Sequence, residues 1–232
     1  MKKFMELLFL KNVKGLGNST INKKYIHLLE NINSFEECVK LVYDNEPNLT
    51  SIDMNNAVRV TKKKYDDVFN DLEINVITIF DEEYPKKLMD LKDKKPLILY
   101  VKGDVKALAQ PNIAIVGTRK PSEWSMKVEI RLVQKIIELS ERTIVSGLAL
   151  GCDKIAHETT VNLDKKTVAV LPSGVNVITP ATHKALAKSI IKNGGCLVSE
   201  YEPSAKVTKS TYVERDAVIA ALSDATMVME CG

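Results

Sequence analysis

The chain has 232 residues, with 33 basic side chains against 30 acidic ones and a formal net charge of +3. An apolar fraction of 45% supports a packed core and excludes intrinsic disorder, and no apolar run approaches the ~18 residues of a membrane span. Neither half is strongly basic, so bulk charge does not announce a nucleic-acid binder and any such site must be a local patch.

Residues 4–70 read as helical, with apolar residues at helical spacing in 4–10, 21–29, 35–43 and 57–69. The opening Met-Lys-Lys-Phe-Met-Glu-Leu-Leu-Phe-Leu has the basic start and apolar body of a signal peptide. Glu6 interrupts it, Lys11 ends it and no small-residue cleavage site follows, so an amphipathic first helix is expected instead. Gly15-Leu16-Gly17-Asn18-Ser19 forms a turn between the first two helices. It is either a SAM-like or helix-hairpin-helix turn, whose N–H groups can hold a DNA phosphate, or an ordinary helical turn. Lys62–Lys64 reads as a solvated helix face.

From residue 75 the period changes. Strands are expected at 75–80 and 97–101, with a turn and short helix between them at 81–90. Strands at 112–117, 143–146, 167–172, 195–199 and 226–230 then alternate with helices near 122–140, 153–163, 181–193 and 212–222. This alternation implies right-handed βαβ crossovers, hence an α/β, Rossmann-like three-layer domain with a mainly parallel sheet. The domains expected are a small helical one at 1–72 and the Rossmann-like one at 73–232.

Cys38, Cys152, Cys196 and Cys231 are scattered without a C-x-x-C pair. They form neither a zinc pattern nor a disulfide framework, which implies reduced thiols and a cytoplasmic location. No metal and no cofactor are expected.

Ile113-Ala-Ile-Val-Gly-Thr-Arg119 and Ile144-Val-Ser-Gly-Leu-Ala-Leu-Gly-Cys-Asp-Lys-Ile-Ala-His157 are short apolar runs that end in glycine and small polar residues and pass into helices. Glycine at a strand end lets backbone N–H groups approach a ligand, and the following helix points its partly positive N-terminus at the same place. Two such units side by side suit a phosphate. Arg119 can fork two N–H groups onto one, or make a surface salt bridge. Ser122 can cap the next helix or touch a phosphate. Trp124 can stack on a base or pack on its helix. Asp153 is expected to N-cap the helix that carries His157, and His157 is expected to pack or hydrogen-bond. No Ser–His–Asp arrangement is implied, so no enzyme is expected.

Val-Gly-Thr-Arg-x-x-Ser, then Ser-Gly-x-Ala-x-Gly-x-Asp-x-x-Ala-His, then Leu-Pro-Ser-Gly at 171–174 and Ser-Glu at 199–200, stand in the order found in the DNA-processing protein A family, also called DprA or Smf, which the chain resembles. Asp-Glu-Glu-Tyr-Pro-Lys-Lys-Leu (81–88) and Pro-Leu-Ile-Leu-Tyr-Val-Lys-Gly (96–103) resemble the family's lead-in, so the likeness covers about residues 75–230. The resemblance implies single-stranded DNA binding in uptake and recombination, protecting incoming strands and helping RecA load. It also implies a homodimer and a SAM-like N-terminal domain. In the family the Rossmann-like domain continues past the strand at 226–230, so this chain is expected to be truncated at its C-terminus.

The family's motif arginine binds single-stranded DNA, and that role carries over to Arg119. Phosphate contacts are expected from Gly117, Arg119, Ser122, Ser146, Gly147, Gly151, Lys184, Ser199 and Arg215. Tyr212-Val-Glu-Arg215-Asp216-Ala217 resembles the family's Phe-Pro-x-Arg-Asn-Arg, with Asp216 and Ala217 replacing asparagine and the second arginine. One cation fewer and one anion more are expected to weaken a phosphate pocket. The alternative is a nucleotide-binding or nucleotide-processing enzyme of a related superfamily, the lysine-decarboxylase-like phosphoribohydrolases. Their Pro-Gly-Gly-x-Gly-Thr-x-x-Glu stretch is not seen in Met229-Glu230-Cys231-Gly232. A classical dinucleotide-binding dehydrogenase is disfavoured because no G-x-G-x-x-G follows the strand at 112–117.

Overall fold

A computed structural model describes residues 2–231. The chain forms two compact units. One takes the chain through Tyr84 together with Leu91–Ile98; the other takes Pro85–Asp90 and Leu99 onward.

The first unit is built on helices. Helix α1 (Phe4–Asn12) buries Phe4, Leu7, Leu8, Phe9 and Leu10. Four consecutive buried residues cover nearly the whole circumference of a helix, so α1 is enclosed and not amphipathic as expected. Its neighbours explain this: Phe9 meets Phe35 edge-on at 5.5 Å, and Phe4 packs against Tyr65 at 5.4 Å. Segments Asn18–Thr20, Ile21–Tyr25 and Ile26–Leu29 run on as α2, with a π-helical turn in the middle. Helix α3 (Phe35–Asn45) is capped by Ser34, whose hydroxyl accepts from the Glu37 N–H at 3.1 Å. Helix α4 (Ser51–Phe69) starts earlier than its apolar period suggests, because Thr50 and Asp53 form a reciprocal capping box ahead of the polar 51–56 stretch. Strand β1 (Ile74–Thr78) closes this unit's regular structure.

The second unit is a twisted α/β sandwich, as the alternation of strands and helices requires. Its strands are β2 (Ile98–Gly103), β3 (Asn112–Val116), β4 (Thr143–Ser146), β5 (Thr167–Val170), β6 (Cys196–Ser199) and β7 (Ala225–Val228). They lie in the order β2-β6-β5-β4-β3-β7. All pairings are parallel except β2 with β6, where Tyr100 stands opposite Ser199. Helices α5 (Glu123–Leu139), α6 (Cys152–Asn162) and α7 (Lys184–Lys192) pack in a row, while α8 (Lys209–Leu222) lies against β3 and β5, so helices cover both faces.

Strands β4, β5 and β6 are buried along their whole length, which is why they read as unbroken apolar runs. One core cluster joins Ile115, Val133, Ile144 and Ala156; another joins Leu148, Ala169, Leu171, Ala187, Ile190 and Leu197. Strand β7 is the exposed edge and ends at Val228, so Glu230 lies beyond it. Among the described residues, no helix is long and apolar enough to cross a membrane.

The connectivity creates a switch point. From β3 the chain walks through β4 and β5 to β6, then returns through α8 to place β7 on the other side of β3. In open α/β sheets, ligands bind in the crevice outside the carboxyl ends of the strands at such a point.

Candidate functional site

A cavity of about 410 Å³ opens at that place. Its walls come from the end of β3 (Gly117, Arg119), the start of α6 (Asp153), the inner side of α8 (Arg215, Asp216) and the segment after β7 (Glu230). A smaller recess of about 100 Å³ adjoins it and is lined by Leu150, Pro172, Pro180 and Tyr212. Arg119 and Arg215 line both.

Arg119 is exposed, and its guanidinium carbon sits 5.2 Å from the centre of the Tyr212 ring. Among the described residues it makes no ion pair, so its N–H fork is available to an incoming acceptor. Tyr212 went unnoticed in the sequence as a partner for Arg119. The two are far apart in the chain, and only the packing of α8 brings them together.

The second glycine loop is arranged differently from a phosphate cradle. Asp153 does not cap α6: Gly151 holds the N-cap position, and Asp153 is the second helical residue. Its Oδ2 accepts from the N–H groups of Gly147 at 3.2 Å and Ala149 at 3.3 Å. Those backbone donors are therefore turned inward. Burial raises the Asp153 carboxyl above the usual range, while the nearby Arg215 charge opposes the shift.

Arg215 is only 4% exposed. Its Nη1 donates to the carbonyls of Gly147 and of Val170, the latter at 3.1 Å, and lies 3.9 Å from Asp153 Oδ2. Its Nε lies 2.9 Å from Asp216 Oδ1 as an ion pair without hydrogen-bond alignment. Gly147 is glycine because a Cβ there would fall 1.6 Å from the Arg215 guanidinium nitrogen. Gly151, at φ +75°, lets the loop pass under Thr118 and Arg119, whose backbone a Cβ would strike at 2.3 Å. Both glycines thus serve contacts within the chain.

The remaining expected residues are distributed unevenly. Gly117 lines the cavity and packs on the Cys152 thiol. Ser122 caps α5 by accepting from the Ser125 N–H at 3.2 Å, and its own N–H and hydroxyl donate to Glu230 Oε2 at 2.9 and 3.1 Å. Ser146 is buried and donates to the Ile115 carbonyl at 2.6 Å. Ser199 is buried on β6 and accepts from the Tyr201 N–H at 3.0 Å. Lys184 is exposed at the start of α7 and lines neither cavity.

Other candidates resolve plainly. His157 is fully buried against Thr167 Oγ1 at 2.8 Å, and burial pushes it down to about 3, so it is a neutral packing residue. Trp124 is 74% exposed. Glu129, which the sequence did not single out, is fully buried, with the Cys152 thiol beside its carboxyl. Burial pushes it up to about 7, with Cys152 opposing and the Asp153 charge adding. Among the described residues, no group of three or more His, Cys, Asp or Glu side chains is placed to hold a metal ion.

Comparison with known proteins agrees with this architecture. The family model for DNA recombination-mediator protein A matches residues 75–232. Protein Smf of Escherichia coli (strain K12) is 34% identical over 156 residues, covering 67% of this chain and 41% of that protein. The DNA processing protein DprA of Streptococcus pneumoniae is 34% identical over 153 residues, covering 66% of this chain and 53% of that one. The chain thus matches about two-fifths to one-half of the length of these relatives. The crystal structure of DprA from Streptococcus pneumoniae superposes with a TM-score of 0.80 at 27% identity, over 97% of this chain and 76% of that one. DprA from Helicobacter pylori, solved for its single-stranded DNA binding mode, superposes with a TM-score of 0.61 at 33% identity, over 69% and 71%. On the matched strand-end motifs and the shared α/β fold, the chain belongs to the DNA recombination-mediator protein A family.

Proposed function

We propose that the protein binds single-stranded DNA through the strand-end site of its second unit and acts in DNA uptake and recombination. The observation that carries this is Arg119: an exposed guanidinium with no ion pair among the described residues, held over Tyr212 at the mouth of a cavity at the sheet's switch point. A phosphate on the arginine and a base against the half-buried Tyr212 and the exposed Leu150 that line the adjoining recess is the usual division of labour for single strands. The single-stranded DNA binding described for the Helicobacter pylori relative supports the same ligand.

The same reading carries the finer expectations. Arg119 is the principal phosphate contact, with Gly117 and Arg215 lining the same cavity; of the other expected phosphate contacts, Ser122, Ser146, Gly147, Gly151 and Ser199 shape this region through contacts within the chain, and Lys184 stands outside the cavity. RecA and a second copy of the chain are its protein partners, the work is binding and not catalysis, and it takes place in the cytoplasm. Residues 1–72 form the helical domain that accompanies the Rossmann-like domain of 73–232.

Fluorescence anisotropy with a labelled single strand and its matched duplex tests the reading. The single strand is expected to bind more tightly, with affinity falling as salt rises and with a shallow slope, because few cations are available. Equal affinity for the duplex, or no binding to either, overturns it.

A further inference from the structure

The cavity beside Arg119 offers acceptors where a phosphate site would offer donors. The Thr118 N–H donates to the Glu230 carbonyl at 2.8 Å, and the Gly147 and Ala149 N–H groups are held by Asp153. Three carboxylates (Asp153, Asp216, Glu230) line the cavity against two guanidiniums (Arg119, Arg215), and Arg215 is already shared among two carbonyls and two carboxylates. Among the described residues, Asp216 Oδ2 receives no hydrogen bond, while the Glu230 carboxylate, held at Oε2 by Ser122, also has the Ser125 hydroxyl beside it. The Ser122 backbone N–H holds the Glu230 carboxyl below its usual range, so it is charged at neutral pH. The nearly buried Arg215 keeps its Nε without an aligned acceptor on the same wall. Val116, Ile219 and Val228 supply apolar surface.

A ligand that fits such walls is flat, apolar on its faces and rich in N–H groups along one edge. The volume lies within the roughly 300–1,000 Å³ of small-molecule sites. Among the bases of DNA, guanine alone presents two adjacent donors, N1–H and the 2-amino group, next to an acceptor, O6. Thymine offers one donor between two acceptors, and ionised carboxylates only accept. Unstacked bases of single strands are read along this edge.

Resting on the strand-binding reading above, we infer that this cavity selects guanine, with Asp216 and Glu230 accepting from its Watson–Crick edge while the neighbouring phosphate stays outside on Arg119.

The test measures anisotropy, in lithium buffer, of equal-length strands of repeated TTG, TTA, TTC and TTT, together with a TTG strand in which hypoxanthine replaces guanine. The guanine strand is expected to bind about fivefold or more tightly than the thymine strand. Removing the 2-amino group with hypoxanthine is expected to erase most of that advantage, as are Asp216→Ala and Glu230→Ala, which leave no acceptor at either position. The exposed Asp216 is the variant least able to disturb folding, and a thermal melt checks both. If all strands bind equally, the inference fails while strand binding stands. If none binds, the strand-binding reading fails and takes the inference with it. A guanine advantage that survives hypoxanthine or both variants removes the two carboxylates from the recognition.

Discussion

Asp216 Oδ1 stands 2.9 Å from Arg215 Nε, one residue along the same helix. The aspartate is 66% exposed at its side chain and the arginine 4%, so the pair joins a buried cation to the cavity's outer wall. It lowers the positive potential that an approaching phosphate meets. Ala217, the second departure from the family pattern, is exposed and does not line the cavity.

Asp216→Asn is therefore expected to tighten binding of an all-thymine strand by a few-fold and to steepen the salt dependence, with the logarithmic slope changing by no more than about one unit. Ala217→Arg alone is expected to do less. Salt titrations of the two single variants check this, and a larger effect from Ala217→Arg would place the strand on the outer side of α8 instead.

Arg119→Ala is expected to cost about 1–3 kcal/mol of strand affinity, the range for charge-assisted hydrogen bonds and their loss. Stability should change by no more than about 0.5 kcal/mol, because the residue is exposed and makes no ion pair among the described residues. Anisotropy and a urea melt on the same preparation separate the two effects.

Gly147→Ala tests the internal role of the second loop. The new methyl would occupy the space of the Arg215 guanidinium and of Asp153 Oδ2. Overpacking of this kind costs about 1–3 kcal/mol, and displacing a buried arginine from its carbonyl partners adds to it. A clearly lowered melting temperature is expected. An unchanged melt would mean that the loop can move aside, so that the glycine is kept for a ligand.

Glu129 gives a pH signature. Its ordinary value is 4.5 and burial lifts it to about 7 in the folded chain. The folded state therefore holds the proton to higher pH than the unfolded state. The associated stability is fully present below pH 4.5 and is lost as pH rises to about 7, by roughly 3–4 kcal/mol at most, at 1.36 kcal/mol per unit. Glu129→Gln removes this loss. The variant's melting temperature relative to the parent should be higher at pH 8 than at pH 5; the same difference at both values would show that Glu129 does not titrate in that window.

Local pattern determined a good deal of this protein by itself. The unbroken apolar runs of β4, β5 and β6 announced strands buried on both faces, and their alternation with helices announced the parallel sheet, because burial and crossover geometry are written in short-range periodicity. The glycine at the end of β3 followed by Arg119, and the Gly147–Gly151 loop, were legible as strand-end motifs for the same reason. Tertiary structure alone decided what the motifs face. Periodicity cannot tell that α1 is enclosed by α3 and α4, so it read as amphipathic. Sequence spacing cannot tell that the N–H groups of the second loop turn to Asp153, that Arg215 spends its charge on two strand-end carbonyls, or that Tyr212 lies under Arg119. Each of these is a contact between residues distant in the chain or on different turns of one loop. Which partner a hydrogen-bonding group finds depends on the packing of α6 and α8 against the sheet, and no local preference encodes that choice.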